Sequence, residues 1–162
     1  MKNNDKGEIA VNWQTVETQE DIQQLLQQFG YFHDSCLKEL YIWTGAYVNE
    51  ELGMAISNTL DTCARLLFQR QFKECSAIEL YFEEVTTIHI SPAKEDYMEL
   101  IMDATLVKRD NQFYWVADGD WHPDEEMKEQ VHWISGKKLK WREVSSWLGE
   151  EKRYVKKSLL AE

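Results

Sequence analysis

Across the middle of the chain, apolar side chains return at every second position, and that spacing belongs to strands. In 77–83, Ile78, Leu80 and Phe82 alternate with Glu79, Tyr81 and Glu83. In 64–72, Ala64, Leu66, Phe68 and Phe72 alternate with Arg65, Gln69 and Gln71. The segment 36–43 sets Leu37, Tyr41 and Trp43 beside Glu39, with Leu40 and Ile42 on the opposite face beside Cys36 and Lys38. Both of its faces are therefore partly covered. Residues 100–109 and 112–117 predict a hairpin around Asp110-Asn111, two residues that tolerate positive φ. Short strands are expected around Ile88–His89–Ile90, at 131–134 and at 138–142, the last two flanking Gly136. One dry and one wet face is the pattern of an antiparallel sheet.

The period changes at the two ends. Residues 19–29 predict a helix: Thr18 caps it, Asp21 returns the bond, and Ile22, Leu25, Leu26 and Phe29 form one stripe before Gly30 stops it. A second helical stripe, Val144, Trp147, Leu148, Val155 and Leu159, predicts a C-terminal helix over 145–160. Thr44-Gly45 reads as a tight turn into 46–48, and 49–62 as a polar loop or irregular strand. The fold class expected is α+β, mainly an antiparallel β-sheet with an N-terminal helix packed on it and a C-terminal helix. A length of 162 residues, 43% of them hydrophobic, suits a single domain, with 1–17 as an N-terminal arm.

The formal charge of −11 opposes binding to phosphate backbones and anionic lipid, which takes clustered Lys and Arg. Neither nucleic acid nor membrane is expected as a partner; a basic protein is. Cys36, Cys63 and Cys75 are odd in number and lack a C-x-x-C pair, which suits reduced thiols. The first eleven residues carry Asp5, Lys6 and Glu8 and have no apolar signal region, and no run reaches the roughly 18 apolar residues of a membrane span. A cytoplasmic location follows as the expectation.

Two stretches are candidate sites. His33 and Asp34 stand in Phe32-His33-Asp34-Ser35-Cys36, the densest run of reactive side chains. Neighbours on extended backbone point apart, so a relay needs residues from other strands, and His33 with Asp34 is the catalytic candidate only as part of a cleft. The second is acidic: Asp118, Asp120, Asp124, Glu125 and Glu126 surround Trp121, which predicts an aromatic anchor for a basic partner. Read as a calcium loop, 118–129 fails, because Pro123 occupies the sharp turn and His122 replaces an oxygen ligand. His33, His89, His122 and His132 fall in separate elements, so neither a metal site nor a cofactor is expected.

Residues 31–48, from Tyr31-Phe32-His33-Asp34-Ser35-Cys36 through Gly45-Ala46-Tyr47-Val48, resemble a family of small bacterial proteins, chiefly from Bacillus-like organisms. Phe68-Gln69-Arg70-Gln71-Phe72, Phe113-Tyr114-Trp115 and Leu139-Lys140-Trp141-Arg142 are similar to the same family, so the resemblance covers 29–142. It carries no activity and no functional residue with it. In size, charge and β content the chain is also similar to the small acidic immunity proteins that neutralise bacterial toxins. The function expected is therefore non-enzymatic protein binding, immunity-like, through an acidic surface. The alternative is a small-molecule binder or hydrolase-type enzyme built around His33 and Asp34, and a homodimer is a third arrangement to test.

Overall fold

The computed structural model describes residues 12–94 and 98–156. Strand β1 (Gln14–Val16) leads into helix α1 (Gln19–Gln28), followed by a 3-10 turn at Gly30–Phe32. Then come β2 (Ser35–Trp43), β3 (Tyr47–Val48), β4 (Met54–Ala55), β5 (Cys63–Arg70), β6 (Ala77–His89), β7 (Thr105–Arg109), β8 (Gln112–Val116) and β9 (Trp133–Glu143). The arm expected over 1–17 lies outside the described residues as far as position 11, and from Gln14 it is a strand of the sheet.

The main sheet runs β2-β5-β6-β9-β8-β7, with β1 laid end to end with β8 along the same side of β9. Every pairing is antiparallel. Its two edges approach each other at one end, where Ser35 of β2 and Ile101, in the segment leading into β7, exchange backbone bonds of 3.2 and 2.8 Å. The sheet is therefore curled, and α1 lies in the curl. Thr18 caps the helix with a reciprocal bond pair: its hydroxyl accepts from the Asp21 N–H, and the Asp21 carboxylate accepts from the Thr18 N–H. Ile22, Leu25, Leu26 and Phe29 descend from the helix onto Leu66, Phe68, Leu80, Phe82 and Trp115. Phe32 meets Phe29 and Phe68 edge-on, each at 5.0 Å, at the centre of this core. Each such side chain contributes about 1.5–3 kcal/mol on burial.

Two elements are longer than their sequence patterns suggest. The expected strand at 77–83 and the short one around Ile88 are one strand, β6, which survives a bulge between Val85 and Thr87 with Glu84 at φ 51°. Likewise the expected strands at 131–134 and 138–142 merge: residues 133–134 and 138–142 belong to one strand, β9, which passes straight through Gly136, while 131 and 132 lie before it. Gly136 lies against the bulge, where an added Cβ would stand 3.1 Å from the Glu83 carbonyl oxygen and 3.2 Å from Phe82. The glycine keeps the two long strands in register rather than breaking one of them.

The α+β expectation of a sheet flanked by a helix at each end is corrected: α1 is the single α-helix among the described residues. Over the expected C-terminal helix, 145–160, the chain makes only a 3-10 turn at Ser145–Trp147, turns extended at Leu148, and takes φ 97° at Gly149. Residues 157–160 of that expectation lie outside the described residues. The physical reason is on the outer face of the sheet. Trp147 and Tyr154 pack on a small second core of Leu67, Ala77 and Val144. The Glu39 carboxylate of β2 accepts the backbone N–H groups of Arg153 and Tyr154. Gln69 of β5 donates its side-chain amide to the carbonyls of Trp147 and Gly149. A helix would satisfy its own backbone. Here distant strands do so, and the segment is held open as a strap.

Beneath the strap lies Glu79, fully buried, whose carboxylate accepts from Arg65 and Arg142 at 2.5 Å each and from the Tyr154 hydroxyl at 2.9 Å. Trp13 and Tyr154 stack on the Arg65 guanidinium, and Trp13 and Trp147 on that of Arg142. Burial, and then the Glu79 charge, push the Tyr154 phenol far above its ordinary pKa.

Candidate interaction surface

The histidine stretch is a clasp. Tyr31, Phe32 and Asp34 all take left-handed backbone, at φ 56, 61 and 53°, around His33, which is extended. This folds His33 back across the sheet opening, where its Nδ1 lies 2.6 Å from the Met102 carbonyl oxygen. Its two ring nitrogens also stand 3.5 Å from carboxylate oxygens of Asp34 and Asp103. The Met102 carbonyl first, and the Asp34 charge next, hold the His33 pKa above its ordinary value. The buried Ser35 hydroxyl donates to the Phe32 carbonyl at 2.6 Å. A ring so placed donates, and among the described residues its polar contacts are that carbonyl and the two carboxylates, with no hydroxyl or thiol. A cavity of about 430 Å³ beside this stretch is lined by Tyr31, Met102, Asp103, Asp118 and Asp120 among others, but by neither His33 nor Asp34.

The acidic segment is also largely self-satisfied. Asp118 is bound by Lys128, which holds its carboxyl below the usual range, and Asp124 is held down in the same way by Arg109. Trp121, expected to stand out as an anchor, is only 6% exposed, and this expectation is corrected. It lies against Tyr114 of β8 at 5.9 Å, and the Thr105 hydroxyl of β7 holds the segment down by donating to the Asp118 carbonyl. Asp120, Glu125 and Glu126 remain exposed with no cation partner among the described residues. The segment thus offers a field without a grip.

The longest run of exposed large apolar side chains among the described residues lies elsewhere, in the connection between β2 and β5. Strands β3 and β4 pair with each other, Tyr47 opposite Ala55 and Val48 opposite Met54, and form a second sheet separate from the first. This hairpin arm is well built. At its tip the Asn49 side-chain oxygen accepts from the Glu51 and Gly53 N–H groups, and the Asn49 N–H donates to the Gly53 carbonyl at 2.9 Å. At its base Gly45 sits so close to Asp61 that an added Cβ would fall 2.4 Å from the carboxylate. Yet Tyr47 is 62% exposed, Met54 68%, Ile56 71% and Leu52 85%. Leu52 also holds φ 66°, a region that costs a side-chain-bearing residue about 1–2 kcal/mol.

Sequence reasoning passed over this arm because 49–62 lacks both alternation and a helical stripe. One signal was available: from 39 to 64 the chain has no Lys, Arg or His, while Glu50, Glu51 and Asp61 punctuate its apolar residues. Among the described residues, no group of His, Cys, Asp or Glu is arranged to hold a metal ion. Nor is any helix long and apolar enough to cross a membrane. No family model, curated protein or solved structure matches the chain.

Proposed function

We propose that the chain is a non-enzymatic, immunity-like binding protein that engages a basic protein partner with the hairpin arm. The observation that carries this reading is Leu52, exposed at the tip in a backbone conformation that costs energy and that the Asn49 turn nonetheless enforces. Strain of this kind persists where the surrounding structure over-determines it, and such positions gather at binding surfaces. Tyr47 and Leu52 supply apolar contact, and Glu50 and Glu51 beside them favour a cationic rim on the partner. The outward edges of β3 and β4 leave backbone groups for an added strand. The remaining acid of 118–129 adds to the field that draws such a partner in. Unpaired Cys36, Cys63 and Cys75 support the cytoplasm as the place where this happens.

The test compares wild type with a Tyr47→Ala, Leu52→Asp double variant of matched circular dichroism and melting temperature. Each is immobilised and exposed to native cytosol. A basic protein retained by wild type, eluted by raised salt and lost with the variant is the expected result. Equal retention by both forms removes the arm from the interaction. Recovery of further copies of the chain alone replaces the basic partner with self-association.

A further inference from the structure

The two edges of the curled sheet meet at the densest run of left-handed backbone among the described residues. Tyr31, Phe32 and Asp34 follow directly on Gly30, which itself holds φ 54°. That region disfavours any residue with a Cβ, so the stretch persists only because its surroundings over-determine it. Three backbone bonds across the closure do part of this. The Ser35 N–H donates to the Ile101 carbonyl, the Ile101 N–H to the Ser35 carbonyl, and the Ala104 N–H to the Tyr31 carbonyl. Phe32, fully buried against Phe29, Phe68 and Trp115, does another part. The fourth link across the closure is a side chain, His33 on the Met102 carbonyl.

This link differs from the backbone bonds because it titrates. The Met102 carbonyl can only accept, so Nδ1 carries a proton in both charge states of the ring. Neutral imidazole then presents a lone pair at Nε2, 3.5 Å from an Asp34 carboxylate oxygen. Two electron-rich atoms face each other there, and a second proton turns the contact into an ion pair. Asp103, on the segment entering β7, faces Nδ1 at 3.5 Å and adds to the attraction. From the acidic segment, Asp118 and Asp120 line the cavity beside Met102 and Asp103, with Lys128 bound to Asp118. Of these charged groups four are carboxylates and one is an ammonium, a balance that favours the imidazolium.

We infer that His33 is a pH-sensitive clasp: as imidazolium it holds the start of β2 to the segment entering β7, and as neutral imidazole it lets that end of the sheet loosen. The device is separate from the arm and stands whether or not the arm binds a partner. Its sign follows from the direction in which the fold moves the ring. The His33 pKa is raised in the folded chain, first by the Met102 carbonyl and then by the Asp34 charge. The clasp is therefore complete below the ordinary histidine value of about 6.5 and is lost as pH rises through His33's own, higher value. Tyr31, Met102 and Asp103, drawn from both sides of the closure, line one cavity, and loosening widens it.

The test is nuclear magnetic resonance on the full chain from about pH 5.5 to about pH 8.5, the range across which histidine changes charge. Ring signals of the 4 histidines are followed first, with that of His33 assigned by its absence in His33→Gln. His33 should titrate above its midpoint in the urea-unfolded chain, and Asp34→Asn should lower that midpoint. Asparagine accepts left-handed backbone, so the turn is kept. Amide exchange is followed next, expressed as protection relative to the unfolded chain. Protection of the Ser35, Ile101 and Ala104 amides should fall about 2- to 5-fold as His33 loses its proton, the scale of one exposed ion pair. In His33→Gln the same amides should be equally protected at both ends of the range. Should that variant fail to fold, Asp34→Asn takes its place, and the pH-linked change should shrink. A His33 midpoint at or below the unfolded one overturns the clasp. So does protection that ignores the titration, or that changes as much in the variant as in wild type.

Discussion

The outer face around Glu79 and the arm around Leu52 are made of similar material, aromatic and aliphatic side chains beside carboxylates, yet one is closed and the other open. At Glu79 the buried carboxylate has its answer within the chain: two guanidinium groups, a phenol and a covering strap. At Leu52 the backbone is satisfied and the side chains are not. A carboxylate taken out of water needs partners, and the fold supplies them. Apolar groups left in water incur a cost that only a second molecule can remove. The contrast separates a surface that stabilises the fold from one that the fold holds ready.

Replacing Glu79 by Ala tests the closed side hardest. It strands Arg65 and Arg142, whose side chains are only 28% and 19% exposed, so the loss should be about 3–5 kcal/mol in urea unfolding. A loss below 1 kcal/mol would mean that solvent already reaches the pair. Tyr154→Phe removes one hydroxyl from the same carboxylate and should cost about 1–2 kcal/mol, with the strap still in place. Should the strap instead detach, proteolysis after residue 144 would accelerate. The arm should respond in the opposite sense. Leu52→Gly relieves the left-handed strain but gives back some chain entropy, so the melting temperature should hold or rise, by less than about 1 kcal/mol in stability. A clear loss of stability there would show that Leu52 serves the fold and not a partner.

Much of the sheet was legible because alternation is local. Ile78, Leu80 and Phe82 face the core as their spacing implies. The capping of α1 was legible too, since Thr18 and Asp21 lie three residues apart and form both bonds. What escaped depends on distant pairings. Glu79 has the spacing of a wet-face residue, but Arg65, Arg142 and Tyr154 come from other elements and bury it. Val144, Trp147 and Val155 fit a helical stripe, and only partners in distant strands, Glu39 and Gln69, show why the segment is not a helix. His33 was legible as a reactive side chain, but not as the partner of a carbonyl at Met102. Trp121 in an acidic stretch looked like an anchor because sequence does not reveal the neighbouring Tyr114 face that covers it.

The pairing of β1 with β9 bears on how the molecule is made. Gln14 lies opposite Trp141 and Val16 opposite Leu139, so β1 has to wait for a strand synthesised more than a hundred residues after it. Helix α1 can form early, since its cap and stripe are local, but until β9 arrives the sheet that shelters its apolar face lacks the strand that joins β6 to β8. Closing loops of this length carries a large entropic barrier before any pairing rewards it, so the chain should fold on the slow side, in milliseconds to seconds. During that interval the unfinished sheet exposes strand edges that the completed molecule covers, and a nascent chain of this design has most to gain from a chaperone that releases it only after Trp141 has emerged.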